Sequence, residues 1–185
     1  VFFNESKTER RCAAEIIRRA KEAGFVCICE KKELKAGDKV YYNNRGKAVM
    51  LSVIGSEPLE NGMNIVGSHI DSPRLDIKQN PVYEAGGTTL LKTHYYGGVK
   101  KYQWVALPLA LYGVIVKANG EKVEIAVGDK CGDPVFYISD LLPHLAKDQM
   151  SKTMSEGVEG ESLNILIGSL PVDDTEASDR SKSAL

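Results

Sequence analysis

His69 and Asp71 stand two positions apart at the end of an apolar run, Asn64-Ile65-Val66-Gly67-Ser68, with Ser72 and Pro73 directly behind them. Side chains two positions apart on an extended strand project from the same side. An imidazole beside a carboxylate is half of a transition-metal site: the ring ligates through one nitrogen while the carboxylate holds the other. The same spacing also fits a histidine hydrogen-bonded to a neighbour at a turn. Both readings make residues 63–69 a buried strand that delivers His69, and Pro73 the point where the chain must turn.

Only three histidines are present, so a site of histidines alone would need most of them to converge. His94 lies in Lys92-Thr93-His94-Tyr95-Tyr96 and reads as a satisfied or exposed strand histidine. His144 follows Ser139-Asp140-Leu141-Leu142-Pro143, a pattern that predicts a capped helix start with proline in the first turn. A helix N-terminus disfavours a cationic imidazole, and a neutral ring there can donate to a developing oxyanion. Tyr95-Tyr96-Gly97-Gly98 and Lys100-Lys101-Tyr102-Gln103-Trp104 read as a turn with aromatics packed beneath it, or as a place where backbone amides and lysines meet a carboxylate. The four cysteines show no disulfide-framework spacing. Cys27-x-Cys29 puts two thiols on one face of a strand, which suits either a metal or ordinary buried thiols in a reducing cytoplasm. No phosphate-binding glycine loop, Gly-x-Ser-x-Gly elbow or His-Glu-x-x-His pair occurs.

The elements that must position these residues come next. With 185 residues, 43% of them hydrophobic, the chain can build one good core or two small ones. A net charge of −1 and no basic run disfavour a nucleic-acid or acidic-membrane partner. The apolar runs are strand-sized, too short to span a bilayer. The N-terminus lacks the features of a signal peptide and a Met, which suggests a start inside a longer chain in the cytoplasm.

Ser6-Lys7-Thr8-Glu9 predicts a capping box, and Cys12, Ala13, Ile16, Ile17, Ala20 and Ala23 form the apolar stripe of a helix that stops at Gly24. Strands are expected at 25–29, 39–43, 48–55 and 63–69, the third of them a nearly continuous buried strand. After Pro73 the pattern alternates: a half-exposed stretch at 74–78, turns at Asn80-Pro81 and 84–87, and strands at 88–95, 107–116, 122–127, 134–138 and 163–168. Asn119-Gly120 is the strongest hairpin signal. Residues 147–162 read as a mobile loop, and the polar tail from Pro171 as disordered. This texture places a domain boundary between residues 79 and 80.

The segments VGSHIDSPRLDIK (66–78), THYYGGVKKYQW (93–104), DPVFYISDLLPHLAK (133–147) and ESLNILIGSLP (161–171), supported by SKTER (6–10) and LKAGDKVYYNNRGK (34–47), resemble the N-terminal part of the aspartyl aminopeptidase family of co-catalytic zinc metallopeptidases, most closely its bacterial branch. The resemblance runs in order along nearly the whole chain. It implies an α/β fold: part of a zinc-exopeptidase-type catalytic sheet in residues 1–79, and an inserted β-rich dimerisation domain in residues 80–185. It implies an enzyme that removes N-terminal, typically acidic, residues from peptides with two zinc ions, within a homo-oligomer.

By the same resemblance, His69 matches the first zinc ligand, Asp71 the acid that orients it, and His144 a histidine that reaches across the dimer. Where family members carry a second histidine near that motif, this chain has Lys147 or Asp148. Where they carry acidic and basic residues after the Trp, it has Ala106-Leu107-Pro108-Leu109. The family's bridging carboxylate, its Glu base, its other acidic ligands and its last histidine are expected beyond Leu185. The 185 residues alone are therefore expected to be inactive. The alternative is a metal-free, β-rich oligomerisation module without enzymatic activity.

Overall fold

The computed structural model describes residues 2–170. The expected disordered tail from Pro171 lies outside the described residues. The chain divides between Ser72 and Pro73 into two compact units.

In the first unit, a short helix α1 (Phe2–Glu5) precedes α2 (Glu9–Glu22). Thr8, extended at φ −133° and ψ 160°, caps α2 by accepting from the Arg11 amide at 3.3 Å. The capping box expected at Ser6 is not formed, because α1 occupies the preceding residues and Ser6 Oγ is buried with no partner among the described residues. Cys12, Ala13 and Ala20 bury the small-residue stripe of α2. The helix ends in a Schellman motif: the Phe25 amide donates to the Ala20 carbonyl at 2.9 Å, and Gly24, at φ 85°, donates to Lys21 at 3.0 Å. Gly24 is needed because that left-handed conformation strains any residue with a Cβ.

The chain then forms β1 (Val26–Cys27), a 3₁₀ turn (Ile28–Glu30), β2 (Lys39–Asn44) and β3 (Ala48–Val53). The sheet order is β1-β2-β3, with β1 parallel and β3 antiparallel to β2. Arg45, Gly46 and Lys47 make a three-residue hairpin loop, with Arg45 and Gly46 both at positive φ, and Asn43 Oδ1 accepts from the Gly46 amide at 2.8 Å.

Three expectations fail in this unit. The strand at 25–29 is two residues long before it turns. Residues 48–55 are not buried throughout: Met50, Leu51 and Val53 of β3 are exposed. Residues 63–69 form no strand at all. Ile65 and Val66, 79% and 99% exposed, have no neighbouring strand among the described residues to exchange hydrogen bonds with, and an apolar run becomes a strand only when such a partner exists.

The second unit is built on β4 (Arg74–Ala85), β5 (Thr88–Tyr96) and β8 (Ile165–Gly168), in the order β4-β5-β8 and antiparallel throughout. Asn80-Pro81 is not a turn. It falls in an irregularity within β4, where the register shifts between Ile77 and Val82, and a bulge is where a strand tolerates a residue with no N–H. The separate hairpin of β6 (Leu111–Val116) and β7 (Lys122–Val127) closes around Asn119-Gly120. Residues 107–110 lie outside it. Residues 134–138 make isolated bridges, Phe136 to Leu109 and Tyr137 to Leu166, rather than a strand.

Residues 139–146 turn without forming a helix; α3 (Lys147–Ser151) begins immediately after, inside the stretch read as a loop. Asp140 Oδ1 accepts from the Leu141 amide at 2.8 Å and from Gln149 Nε2 at 2.9 Å, so the capping residue braces a turn instead. That same stretch supplies Val158 to a core of Leu91, Ile138, Leu163 and Ile165, against which Tyr102, Trp104 and Phe136 pack.

Candidate functional site

His69 lies in an irregular, exposed segment, residues 62–73, that precedes β4. Its Nδ1 is 3.0 Å from the Asp71 backbone oxygen and 3.2 Å from Asp71 Oδ1. Both partners are acceptors, so they place the proton of a neutral ring on Nδ1 and leave Nε2 with its lone pair free. The His69 side chain is 84% exposed while that of Asp71 is 39% exposed, so the ring projects outward from its anchor. The pair forms in an irregular segment outside any strand, and the two side chains meet as the spacing suggested. A single imidazole with a fixed tautomer fits one nitrogen ligand of a zinc centre. Among the described residues, no three His, Cys, Asp or Glu side chains converge as a metal cluster, so this pair fits part of a site and not a whole one.

His144 belongs to the second unit. It sits exposed in the turn before α3 and not in the first turn of a helix, so no helix dipole acts on it in the way the sequence suggested. His94, exposed on β5, stacks on Tyr95 with ring centroids 5.7 Å apart and faces Asp76 across the ladder. The aromatic and glycine stretch is a turn with aromatics beneath it. Arg74 lies 4.0 Å above the Tyr96 ring, and Tyr102 and Trp104 pack on the core. A cavity of about 260 Å³ in the second unit is lined by Tyr102, Val105, Met150, Val158 and their neighbours, and it includes none of His69, Asp71 or His144.

Sequence reasoning missed the contacts that tie β4 and β5 to the approach to β8. Lys78 Nζ reaches Glu161 Oε2 at 2.7 Å and holds that carboxyl below its ordinary range, and Thr93 Oγ1 donates to the Leu163 carbonyl inside the core. These partners are 83 and 70 residues apart, and no local pattern joins them.

The profile of the aminopeptidase I zinc metalloprotease (M18) family matches residues 2–185. The chain belongs to the M18 family. It is 53% identical over 185 residues to a probable M18 family aminopeptidase 1 of Clostridium acetobutylicum, covering 98% of this chain and 40% of that protein. To the corresponding protein of Thermotoga maritima it is 46% identical over 175 residues, covering 92% of this chain and 37% of the other. Among solved structures, the M18 aminopeptidase of Thermotoga maritima superposes with a TM-score of 0.90 at 43% identity, over 99% of this chain and 40% of that one. Aminopeptidase I of Borrelia burgdorferi gives 0.83 at 45% identity, with the same shares of the two chains. The chain thus spans about 40% of the length of the relatives it matches. The match supports a mixed α/β fold of small sheets within a metallopeptidase family. No described helix is long and apolar enough to cross a membrane.

Proposed function

We propose that this chain is the part of a zinc aminopeptidase that supplies one metal-binding histidine, and that the whole protein removes N-terminal residues, acidic ones by preference, from peptides in the cytoplasm. The observation that carries this reading is the His69–Asp71 pair, with Nδ1 held at 3.0 and 3.2 Å and Nε2 open, in a chain of a zinc metalloprotease family.

In this reading His69 Nε2 is a zinc ligand, and Asp71 keeps the proton on Nδ1 and the ring in its plane of approach. When bound, zinc supplies Lewis-acid polarisation of the scissile carbonyl. Among the described residues no three donors converge around His69, and in this reading the 185 residues by themselves are inactive. The first unit contributes to the catalytic domain. The β-rich region from residue 80 onward is a dimerisation insertion, from which His144 reaches a neighbouring subunit's site. The exposed position of His144 in a turn is compatible with that reach.

The test is zinc content and release of N-terminal Asp or Glu, measured on the full-length protein and on its His69→Ala variant. Stoichiometric zinc and activity, both strongly reduced by the substitution, support the assignment. A metal-free, stable and inactive full-length oligomer would instead support the oligomerisation-module reading. Turnover by the 185 residues alone would refute the incomplete site.

A further inference from the structure

Among the described residues, the hairpin of β6 and β7 pairs with no third strand and gives no residue to the core. An open sheet edge is where another chain can add a strand, and proteins block such edges with charges, proline, bulges or short strands. The other edges of the second unit carry these devices. β4 bears Arg74, Asp76 and Lys78, with Pro81 in its irregularity; β8 has four residues; β7 bears Lys122 and Glu124. β6 bears none of them: Leu111-Tyr112-Gly113-Val114-Ile115-Val116 has no charge and no proline.

The hydrogen-bond ladder shows which backbone groups the edge presents. At the closed end of the hairpin the Lys117 amide donates to the Glu121 carbonyl at 2.8 Å. Antiparallel pairs alternate, so Ile115, Gly113 and Leu111 exchange bonds with β7, while Val116 and Val114 turn their N–H and C=O away from it. Those outward groups of Val114 and Val116 meet no hydrogen-bond partner among the described residues. Ile115 is 55% exposed, and beside it on the same face a Cβ at Gly113 would meet nothing within 4 Å.

We propose that the outer edge of β6 is an interaction surface for β6 of a second copy of this chain, the two strands running antiparallel about a twofold axis at Val114. This rests on the reading of the region from residue 80 as a dimerisation insertion, and it names the strand that makes the contact. In this register Val114 faces its own copy, Tyr112 faces Val116, and Gly113 faces Ile115. Each exposed isoleucine then fills the gap over the opposite glycine, and every opposed pair is apolar with no like charges meeting. The gap and the residue that fills it stand on either side of Val114 in one strand, which is the self-complementarity that a twofold contact requires. The outward N–H and C=O groups of Val114 and Val116 gain partners, and the two hairpins become one four-stranded sheet. A β7 contact centred on Glu124 would instead set two carboxylates opposite each other.

The experiment uses the full-length protein. Val114→Lys faces Glu124 across its own hairpin, a favourable pair, but faces its own copy across the twofold, where like charges repel. The expected result is a fall in the mass of the assembly by light scattering, at a concentration where the parent stays assembled, with far-UV circular dichroism unchanged. The register is tested by co-expressing Gly113→Cys and Ile115→Cys chains, since opposed residues that share no ladder bonds stand about 4.5 Å apart at Cα, within reach of a disulfide. After oxidation and tryptic digestion, a bridge is expected between two copies of peptide 102–117, which holds no cysteine in the parent chain. Either substitution alone is expected to give no such bridge. An unchanged mass for Val114→Lys, absence of the mixed bridge, or a bridge from one substitution alone overturns the β6 contact and leaves the dimerisation reading standing. A full-length protein that is monomeric at every concentration overturns both.

Discussion

Lys78 Nζ donates to Glu161 Oε2 at 2.7 Å, tying β4 to the 3₁₀ turn ahead of β8 although 83 residues separate the two. Glu161 is held below the ordinary carboxylate range, first by this hydrogen bond and then by the Lys78 charge. A lowered carboxylate stabilises the fold above its unfolded value, and the effect is lost as pH falls through the folded value. Lys78→Ala is therefore expected to lower the melting temperature slightly at neutral pH and not at all in strong acid. Added salt should shrink the difference, because Glu161 is largely exposed. Melting curves at two pH values and two ionic strengths check this.

Glu15 makes the sharper acid-side prediction. It is buried on α2, where Arg18 Nε donates at 2.7 Å and Nη2 at 2.8 Å, and Arg19 Nε at 2.7 Å. These bonds lower its pKa from 4.5 to about 2, with Arg18 the larger cause. Its contribution is complete above 4.5 and fades as pH drops from there toward 2. The difference in melting temperature between the parent chain and Glu15→Gln should be largest at neutral pH and close across that window. A difference independent of pH would show that the carboxylate charge is not what stabilises the helix.

Gly128 is a position where a methyl group cannot be absorbed. It stands at φ 87°, and a Cβ there would lie 3.1 Å from Ala110 Cα, 3.1 Å from the Leu109 oxygen and 3.2 Å from the Pro134 oxygen. All of these are backbone or Cα atoms, so no side chain can swing away. Gly128→Ala is expected to cost about 1–3 kcal/mol from backbone strain alone, and more from the close contacts. Denaturant titration gives the value, and a loss under about 0.5 kcal/mol would mean that the loop moves freely.

Thr93 is buried at 2% exposure, and its hydroxyl donates to the Leu163 carbonyl, joining β5 to the segment just ahead of β8. Thr93→Val keeps the volume and removes the donor, leaving a buried carbonyl short of a partner at a cost of about 1–3 kcal/mol. Thr93→Ser should recover most of that. If both variants lose the same stability, the methyl group and not the hydroxyl is what matters.

What was legible in the sequence is what local chemistry determines. The stripe of α2, its stop at Gly24, the Asn44–Lys47 turn and the Asn119-Gly120 hairpin all follow from residues within a few positions of one another. Features that depend on distant partners were misread. Residues 63–69 have the composition of a buried strand, but a strand is a relation between two segments, and none of the described residues pairs with them. Pro143 and the preceding Asp140 look like a helix start, but Asp140 accepts from Gln149 and the helix begins four residues after the proline. The Ser6 cap was lost to a neighbouring helix whose apolar signal, Phe2 and Phe3, is too short to read as one. The contact between His69 and Asp71 was legible despite the wrong element, because residues two apart are close enough for their side chains to meet without a strand.

That reach-back sets apart the effects of substituting the two residues. His69 Nδ1 has two acceptors on Asp71, the carbonyl at 3.0 Å and the carboxylate at 3.2 Å. Asp71→Asn removes the charge but keeps the shorter bond to the backbone, so the ring retains its tautomer and much of its orientation. Loss of an orienting partner typically weakens metal binding by about 10–100-fold. Here the expected loss for Asp71→Asn is at the lower end, about 10-fold, because the carbonyl remains. His69→Ala removes the ligand atom itself and is expected to abolish binding at that position. Competition of the full-length protein against a chelator of known zinc affinity measures both. Equal losses for the two variants would show that the carboxylate binds the metal directly, and no loss for either would remove the pair from the metal site.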